Sequence, residues 1–245
     1  MSRSNPNANA SSGSKNPAKF FAEWNSTERC FKFYQKSEDK EKKGHDVLLP
    51  FPFRFLVLDE LNTVKGFSKS NKSSFWSNEV RFIKTDILTI RHKNGIAATG
   101  LYTDIINLCK GAKFSKSVYV MIKEKDKEPF IANIHMFGSA IGQWIDFADK
   151  VKDNLYKMAV ECKEYQEDKN GDIVFYKPVF NLVSCTEESN RQAEVLQQEL
   201  QKYLKPYLSS EFVKEETTIE ASDFKEDDGD NLGDFAPPID NTDVF

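Results

Sequence analysis

The stretch from Lys65 to Lys84 interleaves positive and aromatic side chains, a combination suited to contacting single-stranded nucleic acid. Its members are Lys65, Phe67, Lys69, Lys72, Phe75, Trp76, Arg81 and Lys84. Aromatic rings stack on bases of any sequence, each stack contributing about 1–3 kcal/mol, while Lys and Arg neutralise phosphates and release counterions. The Gly, Ser and Asn content of the stretch favours a loop, so we expect accessible rings. Core packing of the three rings is the alternative.

Other positive and aromatic side chains near the predicted strands are candidates for the same surface. They are Arg54, Arg91 and Lys93 around the first strands, and Tyr119, Lys123 and Lys125 in a later hairpin.

Residues suited to catalysis or metal binding do not form a recognisable pattern. The sequence has no phosphate-binding glycine loop, dinucleotide fingerprint, zinc-protease motif or serine-hydrolase elbow. The three histidines are far apart, and a strand histidine such as His135 is more typical of a core or surface position. The four cysteines show no C-x-x-C spacing, so we expect free thiols and neither a metal site nor a cofactor. We therefore expect a non-enzymatic protein.

Charge is divided sharply along the chain. Residues 211–245 hold twelve acidic and two basic residues, while the whole chain has a net charge of −4, so residues 1–210 carry about +6. A basic body with an acidic tail is typical of proteins that handle polyanions, because the tail can occupy the basic surface when the ligand is absent. A tail that only keeps the protein soluble is the alternative.

The last residues combine prolines, acids and apolar side chains in the sequence APPIDNTDVF. An extended acidic peptide with a terminal aromatic suits an apolar pocket rimmed by Lys or Arg on another protein. We expect its contact residues to be Phe235, Ile239, Asp240, Asp243, Val244 and Phe245.

The elements that must position these groups are mainly strands. We predict an opening strand at 53–58, a short helix at 102–109 and three hairpins that pair 86–91 with 96–99, 117–123 with 130–137, and 155–166 with 172–183. Pro178 places the last strand at a sheet edge. Helical spacing predicts a helix at 138–151, with Ile141, Trp144, Ile145 and Ala148 on one face.

A second amphipathic pattern runs from Glu187 to Leu204 and predicts a C-terminal helix at 187–208. Its apolar stripe comprises Val195, Leu196, Leu200, Tyr203 and Leu204, and Pro206 closes the run. We expect it to dock on its own domain, with docking on a partner as the alternative.

This order of elements predicts a mainly β protein with flanking helices (α+β). Five strands with a helix between the third and fourth are typical of an OB-fold-like barrel, here followed by the C-terminal helix. We divide the chain into a disordered arm (1–18), one domain (19–208) and a disordered acidic tail (209–245). The arm has no apolar run, so we expect neither a signal peptide nor a membrane anchor, and a cytoplasmic location.

The chain resembles the OB-fold single-stranded DNA-binding proteins of tailed bacteriophages, of the T7-type and crAss-like groups. The resemblance is carried by FPFRFLVLDELNTVKGF and FWSNEV in the first third, by GSAIGQWIDF, and by the acidic tail ending in DVF. It covers about residues 47–185 and the tail. It implies a basic aromatic groove containing Trp76 and Arg81, and a tail containing Asp240, Asp243 and Phe245 that recruits replication proteins and competes with DNA. Residues 1–46 and 187–208 have no counterpart.

These features together predict a sequence-tolerant single-stranded DNA-binding protein that recruits polymerase, helicase or primase through its tail, in the cytoplasm of a phage-infected cell. Two alternatives stay open: a virion or scaffold-associated β-domain with an acidic docking tail, and an RNA-binding OB module. A homodimer is also left open.

Overall fold

The computed structural model describes residues 15–37, 43–69 and 72–209. In this part the strands are β1 (Phe21–Asn25), β2 (Cys30–Gln35), β3 (His45–Leu49), β4 (Phe53–Ser68), β5 (Ser73–Ser77), β6 (Leu88–His92), β7 (Gly95–Gly100), β8 (Ala112–Ile122), β9 (Phe130–Met136), β10 (Ala159–Asn170) and β11 (Ile173–Val183). The α-helices are α1 (Tyr102–Ile105), α2 (Ser139–Val151) and α3 (Glu187–Leu208). The protein is therefore mainly β, as expected, with three helices and an open sheet.

Strand β4 is the centre of the sheet. One of its edges pairs with β8 from Leu56 to Gly66, and the other pairs with β10 at its beginning and with β5 at its end. The path through the sheet is β3-β2-β1-β9-β8-β4-β5-β6-β7. The strand runs past the predicted end at residue 58 as far as Ser68, with no proline to interrupt it and with Leu61, Thr63 and Val64 buried. Most of the predicted loop at 65–84 is consequently a hairpin, β4–β5.

The expected helix between strand pairs is present, but a closed barrel is not confirmed. Strands β4, β8 and β9 form an antiparallel ladder, α2 follows, and the β10–β11 hairpin returns to pair with β4. The edge of β9 away from β8 pairs in parallel with β1. Strand β11 pairs only with β10 among the described residues. The prediction that Pro178 places β11 at an edge is confirmed.

The aromatic stretch near the N-terminus forms the antiparallel hairpin β1–β2, which sequence reasoning left unassigned. Phe31 is fully buried, and the indole Nε1 of Trp24 donates to the carbonyl of Tyr176 at 2.9 Å. This hydrogen bond connects β1 to β11, two strands that do not pair with each other.

The main core lies between the sheet and α2. Ile141 and Trp144 are buried, and Ile145 and Ala148 pack against the same core, so the predicted helix face is confirmed. The indole Nε1 of Trp144 donates to Glu60 Oε1 at 2.7 Å, which satisfies its one polar atom inside the core.

The C-terminal helix α3 packs on the opposite face of the sheet. Leu200, Tyr203 and Leu204 are buried against β4, β8 and β9, so docking on its own domain is confirmed. Val195 is 64% exposed and does not belong to the buried stripe. Helix α3 has the predicted bounds, 187–208, but Pro206 lies inside its last turn, so the expectation that Pro206 closes the helical run is wrong. No described helix has the length and apolar character needed to cross a membrane.

The predicted hairpins are confirmed with small shifts at their ends. Gly95 and Gly171 adopt positive φ in the turns after Asn94 and Asn170. Strand β8 begins at Ala112, five residues before the prediction, and Leu155 lies in a 3₁₀ turn before β10.

Candidate nucleic-acid interface

Five residues on neighbouring strands lie directly opposite one another across the sheet. Their pairings join Lys113 to Lys65, Lys65 to Trp76, Trp76 to Arg91, and Arg91 to Ile96. Directly paired residues project from the same face of a sheet, about 5 Å apart. We call these five residues the cross-strand row. It brings together three residues that the sequence predicted, namely Lys65, Trp76 and Arg91.

Lys113 belongs to the cross-strand row but was missed by sequence reasoning. Predicting it required the register between β4 and β8, whereas the predicted strand began only at residue 117. Its side chain is exposed, whereas Lys65, Trp76 and Arg91 are half-buried.

Phe67 extends the row at the end of β4. It lies two residues beyond Lys65, on the same face, and is half-buried opposite Ser74. At Gly66 and Gly111 two backbone segments come close together. A Cβ on Gly111 would lie 2.1 Å from the Phe67 carbonyl oxygen, so this position has no room for a side chain. Lys69 and Lys72 are exposed on either side of the adjoining turn.

Phe75 does not contribute to this face, and its prediction as an accessible ring is wrong. It is 4% exposed and packs in a second core with Val64, Leu88 and Ile90. Successive residues of a strand point to opposite faces, so Trp76 and its neighbour Phe75 cannot share a surface. The prediction failed because it treated the segment as a loop.

The face that carries the row continues along β8 under α3, and we call it the outer face. Alternate β8 residues, including Lys113, Ser117 and Tyr119, project to it. Tyr119 is 0% exposed, so its prediction as an accessible ring is wrong. Its hydroxyl donates to Glu79 Oε2 at 2.8 Å and accepts from Asn16 at 3.0 Å, and burial raises its pKa well above the usual value.

The remaining predicted cations lie outside the row. Arg81 forms an ion pair with both carboxylate oxygens of Asp59, which raises its pKa. Arg54 donates to Glu161 at 2.6 Å, and Lys123 donates to Gln192 of α3 at 3.1 Å. Lys84, Lys93 and Lys125 are exposed in turns.

Acidic groups on the outer face partly neutralise the row. The Nζ of Lys65 lies 3.0 Å from Glu23 Oε2 on β1, and this charge chiefly lowers the pKa of Glu23. Lys32 on β2 is the cross-strand partner of Glu23 and lies 3.0 Å from Asp46 Oδ2. Nearby, burial and then the charge of Lys65 lower the pKa of His135 well below its usual value, so it is neutral at pH 7.

A second cationic and aromatic cluster lies at the β10–β11 hairpin. The guanidinium of Arg29 stands 4.2 Å from the ring centroid of Tyr176 and 5.4 Å from that of Tyr165, and Tyr165 is partly exposed. The two rings pack edge to face at 5.3 Å. The sequence analysis did not identify this cluster of Arg29, Tyr165 and Tyr176, although the predicted hairpin already placed the two tyrosines near each other.

The predicted contact residues of the tail lie outside the described residues. These are Phe235, Ile239, Asp240, Asp243, Val244 and Phe245. The described chain ends just after α3, where the Tyr207 hydroxyl accepts a hydrogen bond from the backbone N–H of Glu79 at 2.9 Å. Glu79 is three residues from Trp76, so the chain leaves α3 near the cross-strand row.

Within residues 15–37, 43–69 and 72–209, no group of three His, Cys, Asp or Glu residues is arranged to hold a metal ion. Comparisons of the chain with family models, with curated proteins and with solved structures give no match.

Proposed function

We propose that the protein binds single-stranded DNA without strong sequence preference, using the outer face around the cross-strand row. The observation that carries the proposal is the direct cross-strand alignment of Lys65, Trp76 and Arg91. A ring flanked on both sides by cations can stack on a base while its neighbours contact the adjoining phosphates. No base-specific pairing is needed for such binding.

The order of strand pairing supports the same function. The series β4-β8-β9, α2, β10-β11, with β10 beside β4, is the order we expect of an OB-type domain. In this proposal β1 is inserted beside β9 and opens the barrel. OB folds bind oligonucleotides on the face of their second and third strands and on the adjoining loops. Here these strands would be β8 and β9, whose outer face is covered by α3 around Tyr119 and is exposed at Lys113, the residue of β8 that belongs to the row.

We further propose that residues 211–245 recruit replication proteins and that the protein acts on DNA during phage replication or recombination in the host cytoplasm. Twelve acidic residues in this segment suit a basic partner surface. Deleting 211–245 should abolish partner capture and tighten DNA binding, and unchanged DNA affinity would remove competition by the tail from the proposal.

The decisive experiment is a fluorescence polarisation titration of labelled oligo-dT with the full chain at several salt concentrations. We expect the logarithm of affinity to fall with the logarithm of salt by about 0.7 for each phosphate contacted. A duplex of the same length should bind more weakly, and equal affinity for the two would contradict the proposal. Equal or tighter binding of oligo-U would favour the RNA-binding alternative.

A protein-docking role in a virion or scaffold is the second candidate, and the loop at 81–87 favours it. Phe82 is 64% exposed on a loop in which Asp86 accepts hydrogen bonds from the backbone N–H groups of Arg81 and Phe82. An exposed aromatic side chain is typical of an interface contact, because aromatic residues are enriched in protein interfaces. Finding the protein in particles, with no oligonucleotide binding, would support this role.

A further inference from the structure

The outer face carries an alternating series of charges beyond the cross-strand row. Lys65 on β4 contacts Glu23 on β1, Glu23 lies opposite Lys32 on β2, and Lys32 contacts Asp46 on β3. All four project to the same face, because Glu23 is aligned through His135 with Ser117 of β8. The series therefore extends from the row toward the far edge of the sheet.

The Glu23 carboxylate lies where two cations converge. The side chain of Lys65 is only 18% exposed, and it meets the side chain of Glu23 over the two strands, β8 and β9, that separate β4 from β1. The charges of Lys65 and Lys32 both favour the ionised form of Glu23. A carboxylate and a phosphate present similar anionic oxygens to a lysine, so either group can occupy this position.

We infer that Glu23 occupies a phosphate-binding position between Lys32 and Lys65 and competes there with the backbone of single-stranded DNA. This inference rests on the proposed function. Binding at the row must separate Lys65 from Glu23 before Lys65 can contact a phosphate. Glu23 thereby lowers the affinity, and Lys32, which sequence reasoning did not select, becomes part of the binding path.

The test compares Glu23→Gln with Glu28→Gln in the full chain. Both variants remove one negative charge, but Glu28 is exposed in the β1–β2 turn and away from Lys65. We expect Glu23→Gln to bind oligo-dT about two- to five-fold more tightly at low salt. The salt slope should steepen, by at most about 0.7, because binding no longer breaks an ion pair that salt itself weakens. Glu28→Gln should stay close to wild type.

A Lys65→Gln background separates competition for Lys65 from a general charge effect, since Glu23→Gln should then produce a clearly smaller gain, through Lys32 alone. Thermal melting of each variant confirms that it is folded. Equal shifts for the two glutamate variants, or an undiminished gain without Lys65, would overturn the inference while leaving DNA binding intact. Folded wild type and Glu23→Gln that both fail to bind oligo-dT would overturn the proposed function and the inference with it.

Discussion

Two adjoining parts of the outer face differ in what covers them. Near Tyr119, helix α3 lies across the strands, and the Tyr119 hydroxyl beneath it is hydrogen-bonded to Glu79 and Asn16. Near Trp76, Lys65 and Arg91 flank a half-buried ring that does not belong to the core beneath α3. Both parts belong to strands with the same alternation of side chains. Whether a side chain on this face becomes core or surface therefore depends on the element that crosses it.

The largest expected effect is on stability, and it tests whether Phe75 and Trp76, neighbours on β5, project to opposite faces of the sheet. Phe75→Ala should lower the free energy of unfolding by about 3–5 kcal/mol, because the ring fills the second core. Denaturant unfolding followed by fluorescence measures this loss. A change below about 1 kcal/mol would mean that Phe75 is not core and would remove the contrast with Trp76.

Trp76→Ala should act on binding more than on stability. We expect oligo-dT affinity to fall about 5- to 150-fold, which corresponds to the loss of one base–aromatic stack. The free energy of unfolding should change less than for Phe75→Ala, since Trp76 is only half-buried. Trp76→Phe is the matched control and should retain most of the affinity in the same polarisation assay. Loss of stability without loss of affinity would assign Trp76 to packing alone.

Tyr119→Phe tests the covered part of the outer face. The variant leaves the ring in place but removes the hydroxyl between Glu79 and Asn16, at an expected cost of about 1–3 kcal/mol in unfolding free energy. Oligo-dT affinity should not change, because α3 covers this position. A marked loss of affinity at unchanged stability would show that DNA reaches beneath the helix.

The smallest expected effect concerns pH. The pKa of Glu23 is lowered in the folded state from the reference value of 4.5, so the stabilisation is present above that value and is lost as the pH falls through the folded pKa. Wild type should therefore lose more stability than Glu23→Gln as the pH is lowered below about 4.5, as measured by thermal melting. Parallel pH profiles for the two proteins would show that the Lys65 pair adds no net stability.

Much of the fold was predictable from local pattern. The Asn-Gly turns and the helical spacing around Trp144 predicted two hairpins and α2 correctly, because both signals depend on residues close together in the chain. The insertion of β1 beside β9 was not predictable, since parallel pairing between residues about 110 apart leaves no local signal. Lys113 was missing from the predicted site for the same reason, because its position opposite Lys65 depends on the register between β4 and β8.

By itself, the sequence determined the strand-rich composition, the separation of a basic body from an acidic tail, and the choice of residue types near Trp76. The tertiary structure decided which of those side chains share a surface. Phe75 and Tyr119 became core, whereas Lys113 joined Lys65, Trp76 and Arg91. The physical reason is that composition and charge are properties of the chain, while a shared face depends on strand register and on where α3 lies.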